Sequence, residues 1–197
     1  MVEEQGPRRR DALRNREAVI DAAIEIYADR PDASVEEIAD ASGVARTTVY
    51  RHFPTRDELF RSLYERALAT SRERTSRELS DADPAEANLR RLADVMIEFG
   101  LEFRFLLSNR SAGQPVLQEG REQANTPVRT YMEAARRRGE LRSDFPVHWM
   151  MSLGQALMIA SIEDLMAGHI DPPGAKRLLG DTLVAALITP PGGVVSR

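Results

Sequence analysis

The chain has 197 residues, 42% hydrophobic and 29% charged, enough for one domain or a small domain joined to a larger one, with a core that needs no covalent staples. It contains no cysteine, which excludes a disulfide framework, a thiolate zinc site and a cysteine nucleophile. Twenty-seven cations against 31 anions leave a net charge of −4, which excludes a uniformly basic coat for nucleic acid but not a local basic patch.

No run alternates apolar and polar residues in the manner of a strand, and helical spacing recurs throughout. The spacing predicts a first helix from about Arg8–Asp11 to Asp29, with Leu13, Ile20, Ile24 and Tyr27 on its inward face and Pro31 as its stop. Ser34-Val35-Glu36-Glu37 is a capping box that opens a short second helix, closed by Gly43. A third short helix covers roughly Ala45 to His52. A second capping box, Thr55-Arg56-Asp57-Glu58, opens a long fourth helix toward Leu79, with a joint at Asp81–Pro84. Leu89, Leu92, Met96, Phe99, Phe103 and Leu106 then mark an amphipathic helix. Residues 108–120 read as irregular, and Thr126-Pro127 as a helix start that runs to Gly139. The longest apolar stretch, Val147 to Ala167, carries too many polar interruptions for a membrane span and reads as a buried helix. Asp171-Pro172 starts the last helix, and the tail after Pro190 is expected to be disordered. The fold class is all-α: residues 1–54 form an N-terminal arm and helix-turn-helix domain, and residues 55–197 a C-terminal helical domain.

The segment from Ser34 to Phe60 carries the chemistry. A short helix, a glycine turn and a second short helix with Ile38, Ala39, Val44 and Val49 inward form the helix-turn-helix pattern, whose second helix enters a DNA major groove. From Val44 to Arg56 there are arginines and no acid, with Thr47, Thr48, Tyr50 and His52 as further donors to phosphate. Lys176 is the sole lysine, so the cationic chemistry belongs to arginine, a bias that either reflects codon usage in a GC-rich genome or supplies planar forks that match phosphate and guanine. Arg8, Arg9, Arg10, Arg14 and Arg16 form an arm that either reaches DNA or is a solvated helix start.

Thr47-Thr48-Val49-Tyr50-Arg51-His52-Phe53-Pro54-Thr55-Arg56-Asp57-Glu58-Leu59-Phe60, preceded by Ile38-Ala39-Asp40-Ala41-Ser42-Gly43-Val44, resembles the TetR family of bacterial transcriptional regulators. The resemblance is specific over about residues 12–64 and is one of layout beyond. It implies that Arg46, Thr47 and Arg51 meet bases, and that Thr48, Tyr50 and His52 hold phosphates. It also implies a phosphate contact for Arg56, where the family usually has lysine, and one for Ser34. Glu36 departs in sign from a cationic DNA face.

For the C-terminal domain the resemblance implies a homodimer formed by the last two helices and a pocket for a small effector. Gly154 and Ala160 on the apolar helix, with Leu179, Leu183, Ala186 and Leu187 on the last helix, suit a two-fold four-helix interface, the alternative being core packing within one subunit. Met96, Phe99, Phe103, Trp149 and Met158, with His148 and Gln155, suit an apolar or amphipathic effector, though each apolar residue taken singly fits ordinary core packing better and His148 equally fits a partly buried, hydrogen-bonded histidine; Asn109, Arg110 and Gln114 are further polar candidates. No catalytic constellation, metal-ligand spacing or cofactor loop is present, and Glu163-Asp164 reads as a solvated pair, so neither an enzyme nor a cofactor is expected. The start Val2-Glu3-Glu4 does not resemble a secretory signal, which points to the cytoplasm. The resulting expectation is a ligand-responsive repressor, homodimeric on a palindromic operator. The alternative is an all-α binding module for a small molecule or protein, with a helix-turn-helix that no longer functions.

Overall fold

The structure, a computed structural model, describes residues 5–108 and 115–189. Among these residues the chain is all-α, as expected: α1 (Gln5–Asp29), α2 (Val35–Ser42), α3 (Arg46–His52), α4 (Arg56–Glu78), α5 (Ala85–Glu102), α6 (Arg104–Ser108), α7 (Pro115–Arg137), α8 (Val147–Met166) and α9 (Pro172–Leu187). They form two compact units, one of residues 5–67 with 102–108, the other of residues 68–101 with 115–189. The N-terminal unit therefore extends past residue 54 into the first half of α4 and takes in α6.

In the N-terminal unit, α1 packs against α2 and α3. Val19, Ile20, Ala23 and Tyr27 of α1 are buried with Ile38 and Ala39 of α2, Val49 of α3, Phe53, and Leu59 and Leu63 of α4. Leu13, expected on the inward face, is 56% exposed, since the buried stripe of α1 starts at Val19. Both capping boxes form as the sequence predicts. The Glu37 N–H donates to Ser34 Oγ at 3.2 Å and the Ser34 N–H to Glu37 Oε2 at 2.8 Å. The Glu58 N–H donates to Thr55 Oγ1 at 3.2 Å, and the Thr55 N–H to Glu58 Oε2 at 3.2 Å. Gly43 closes α2 at φ +67°, the left-handed region open to glycine at no steric cost.

The amphipathic run that the spacing carries through Leu106 breaks instead at Phe103, a turn between α5 and α6. Phe103 and Phe105 lie with the N-terminal unit. Phe105 stands 5.7 Å from the Tyr27 ring, 6.3 Å from Phe60 and 6.3 Å from Phe103, and Tyr27 and Phe60 are 5.0 Å apart. Tilted and edge-on aromatic pairs at these separations contribute beyond the area they bury. An ion pair from Arg104 to Asp29 at 2.6 Å ties α6 to the end of α1.

In the C-terminal unit, Leu89, Ala93 and Ile97 of α5, Met132 and Ala135 of α7, Met150 and Ile162 of α8, and Leu179, Leu183 and Leu187 of α9 build one core. Asn88 is fully buried, and its side chain joins the Ser80 N–H and the carbonyls of Ser80, Asp83 and Pro84, so the predicted joint is a hydrogen-bonded corner. α7 begins at Pro115, twelve residues before the expected start at Pro127, which lies inside the helix. Gly120 is a packing residue rather than a breaker: a Cβ there would lie 2.8 Å from Leu68 Cδ1. The expected irregularity at 108–120 is thus corrected for 115–120, while residues 109–114 and the tail from 190 lie outside the described residues. No helix among the described residues is long and apolar enough to cross a membrane.

Candidate nucleic-acid interface

α3 has an inner side anchored by Val49, which is fully buried, and an outer side on which Arg46, Thr47, Tyr50 and Arg51 are all exposed. Those four positions are one and four residues apart in a 3.6-residue helix, so they share a face. Thr48 and His52 are half-buried at its margins. Tyr50 is 43% exposed.

Two of these residues are engaged by α2. Arg46 donates to Asp40 through Nε at 3.2 Å and Nη2 at 2.7 Å, a bidentate pair. The Tyr50 hydroxyl donates to Glu36 Oε1. The Tyr50 bond holds the Glu36 carboxyl below the usual carboxylate range, the Arg46 bond does the same for Asp40, and the Tyr50 phenol is pushed up by its bond to Glu36. Glu36, whose sign was at odds with a DNA face, is thus turned onto that face.

The other residues expected at phosphates are placed variously. Ser34 Oγ caps α2 through the Glu37 N–H. His52 Nε2 is buried with no hydrogen-bond partner among the described residues. Burial, then the charges of Arg51 and Arg16, hold the His52 pKa below its ordinary value, so the ring is neutral at pH 7 and presents no cation. Arg56 donates through Nη2 to the Pro31 carbonyl at 2.8 Å, and its guanidinium lies 5.6 Å from the Tyr27 ring and 5.4 Å from Phe60. It ties the α1–α2 connection to the start of α4. Arg16 donates to Ser62 Oγ at 2.8 Å and stands 5.6 Å over Phe53, which makes it a packing residue. Arg9, Arg10 and Arg14 are exposed on α1, and Arg14 pairs with Asp11; the Arg8 side chain lies outside the described residues.

The residues expected at an effector are partly buried and partly exposed. Met96, Phe99 and Met158 pack in the C-terminal core. Phe103 is buried in the N-terminal unit. His148, Trp149 and Gln155 are exposed on α8. Asn109, Arg110 and Gln114 lie outside the described residues.

The residues expected at a dimer contact divide in the same way. Gly154, Leu179, Leu183 and Leu187 are buried within the unit, because α8 turns one stripe, Met150, Gly154, Met158 and Ile162, into its own core. Their side chains leave almost no surface for a second chain. Ala160 is exposed and Ala186 half-buried. The outer side of α8 carries Ser152, Ala156 and Ala160, with Trp149 54% and Met166 62% exposed, and α9 adds Leu178, Thr182 and Ala185. Continuous apolarity marked α8 as covered on several sides but could not say which residues face inward.

A family profile described as "Bacterial regulatory proteins, tetR family" matches residues 19–63, from the buried stripe of α1 to Leu63 of α4. The chain is 30% identical over 151 residues to the HTH-type transcriptional repressor LfrR of Mycolicibacterium smegmatis, covering 76% of this chain and 78% of that protein. The chain belongs to the tetR family of bacterial transcriptional regulators. The crystal structure of LfrR in complex with proflavine resembles this regulator with a TM-score of 0.74 at 27% identity, over 90% of this chain and 99% of that one. The TetR transcriptional regulator SCO0520 of Streptomyces coelicolor gives 0.61 at 26% identity, over 88% and 99%. A TetR family regulator of Marinobacter aquaeolei, at 17% identity, shares the fold with a TM-score of 0.71 over 92% and 98%. The tetR-family regulator is thus a DNA-binding protein of transcription and not an enzyme. Among its described residues no group of three or more His, Asp or Glu side chains could hold a metal ion.

Proposed function

We propose that this regulator is a ligand-responsive repressor that binds a palindromic operator in the cytoplasm as a homodimer and is released by a small, mostly apolar effector. The observation that carries the reading is the outer face of α3, with Arg46, Thr47, Tyr50 and Arg51 exposed together on a helix whose other side is locked into the core. In this reading Arg46, Thr47 and Arg51 meet base edges. Thr48 and Tyr50 hold phosphates, with Ser34, His52 and Arg56 at the edge of the same footprint. Residues 1–54, with Arg56 at the start of α4, supply the DNA contacts, and the rest of residues 55–197 the regulation. The homodimer is supported by the uncovered outer sides of α8 and α9, which pack on each other and would make a four-helix contact about a two-fold axis. A small-molecule effector is supported by the proflavine complex of LfrR. Such an effector acts only by binding the DNA-incompetent state more tightly than the competent one. α4, whose residues belong to both units, is the element through which the difference would pass.

The deciding experiment is selection of random duplexes by the purified protein, followed by sequencing. Enrichment of a palindrome with half-sites about one helical turn apart, or somewhat more, is the expected result. Absence of enrichment at low salt would overturn the reading and favour the binding-module alternative.

A further inference from the structure

We infer that Asp40, a residue of α2 that needs no contact with DNA of its own, is a specificity-determining residue: it positions Arg46 so that the free edge of the guanidinium reads a guanine. The inference goes beyond the proposed contacts and rests on Arg46 meeting a base.

The geometry of the pair is particular. A guanidinium has five N–H donors in one plane. Asp40 takes the side-on edge, with Nε to Oδ1 at 3.2 Å and Nη2 to Oδ2 at 2.7 Å. The end-on edge, one N–H each from Nη1 and Nη2, is left over. That edge is the parallel fork that fits O6 and N7 of guanine in the major groove. A carboxylate on the side-on edge therefore does not compete with base reading. It fixes the plane and direction of the fork before DNA arrives, so less rotamer freedom is lost on binding.

The charge argues the same way. A phosphate takes a cation from almost any direction, and a cation meant for phosphate gains nothing from an anion held against it. Pairing Arg46 with Asp40 removes most of its pull on the backbone while leaving its fork intact, which favours a base over a phosphate. The pair exists because Gly43, at φ +67°, turns the chain so that the last turn of α2 meets the first turn of α3. Glu36, one helical turn before Asp40, engages Tyr50, one helical turn after Arg46. The acids of α2 are thus aimed at the DNA face by the fold.

The test takes the duplex selected by the full-length protein and its single-base-pair variants, and measures affinity by fluorescence anisotropy for the wild type, Asp40→Asn, Asp40→Glu, Arg46→Ala and the double variant Asp40→Asn/Arg46→Ala. Arg46→Ala should abolish preference at one G·C pair. Asp40→Asn should lower discrimination at that same pair about tenfold, leave the other positions unchanged, and tighten binding to an unrelated duplex. Asp40→Glu, which keeps the charge but moves the carboxylate, should lower discrimination at that pair without tightening unrelated binding. In the Arg46→Ala background, Asp40→Asn should change discrimination nowhere. Full discrimination in Asp40→Asn, or an equal loss at every position, overturns the role of Asp40 while leaving base reading by Arg46 intact. Unchanged discrimination in Arg46→Ala overturns base reading by Arg46 and the inference with it. Asp40 is exposed, so matching thermal midpoints for Asp40→Asn and the wild type are expected.

Discussion

Gly100 of α5 sits where α8 comes closest: a Cβ at this position would lie 2.7 Å from both Cγ1 and Cδ1 of Ile162, and 3.7 Å from Met158 Cγ. Carbon atoms in good contact are about 3.5–4.0 Å apart, so Gly100→Ala forces a shift of about 1 Å. Ile162 is fully buried and cannot move into solvent. Overpacking of this kind costs about 1–3 kcal/mol, while replacing glycine by alanine inside a helix returns about 1 kcal/mol. The net loss should be about 1 kcal/mol. Ile162→Ala alone removes both clashing atoms and leaves a cavity, at about 2–5 kcal/mol. In that background the new methyl enters the cavity, so Gly100→Ala should become stabilising by about 1 kcal/mol or more. The two substitutions thus couple by about 2 kcal/mol, and the sign of Gly100→Ala reverses between backgrounds. Urea unfolding followed by circular dichroism on the four proteins measures the cycle. If Gly100→Ala had the same effect in both backgrounds, to within about 0.5 kcal/mol, the close approach of α5 and α8 would not exist as described.

Other consequences follow from single positions. The Ser34 N–H, then the Arg30 guanidinium and the Ser34 hydroxyl, pull the Glu37 carboxyl down to about 2. A lowered carboxyl stabilises the fold above its unfolded value of about 4.5 and loses that contribution as pH falls toward about 2. The thermal-midpoint deficit of Glu37→Gln should therefore be full at pH 6 and shrink steadily below pH 4.5, whereas a deficit constant with pH would contradict the capping box as its source. Gly43→Ala should cost about 1 kcal/mol in urea unfolding and Gly43→Asn less, because a Cβ there meets nothing within 4 Å and only the left-handed backbone is at stake. Equal stability of all three would mean that the turn relaxes to another conformation. Ala160→Arg combined with Thr182→Arg, both exposed, should yield a folded monomer by sedimentation velocity, whereas Leu183→Arg, at 1% exposure, should unfold the chain. A dimer surviving the double substitution would exclude the outer sides of α8 and α9 as the contact.

The helix-turn-helix was legible because its signals are local. A Ser or Thr followed three residues later by Glu specifies a helix start through bonds within one turn, and Gly43 specifies a reversal through its own backbone. Those features hold in any context, so Ser34, Glu37, Gly43, Thr55 and Glu58 do in the structure what they promise in the sequence. α7 shows the opposite case. Gly120 reads locally as part of an irregular stretch and Pro127 as a helix start. Gly120 faces Leu68, and Pro127 lies well inside a helix of 23 residues. The break at Phe103 was illegible for the same reason: helical spacing continues through it, while Phe105 packs on the rings of Tyr27 and Phe60, which are distant in sequence. On α8, apolar residues on nearly every side concealed the one stripe that packs inward.

The interface itself was half legible. Residue type marks Arg46, Arg51 and Arg56 equally as cations for DNA, but the fold gives two of them different occupations. Arg56 spends its guanidinium on the Pro31 carbonyl and two rings. Arg46 is paired with an acid six residues earlier, across a turn whose geometry comes from Gly43. Counting charge therefore overstates how strongly this face attracts a phosphate backbone, and understates how well its donors are directed. Nonspecific attraction scales with the cations free to displace counterions, while discrimination scales with donors held in register with base edges. On the proposed contacts, a chain with a net charge of −4 that pairs Arg46 with its own acid would favour few sequences over any sequence, which is the property a regulator needs among a genome's competing sites.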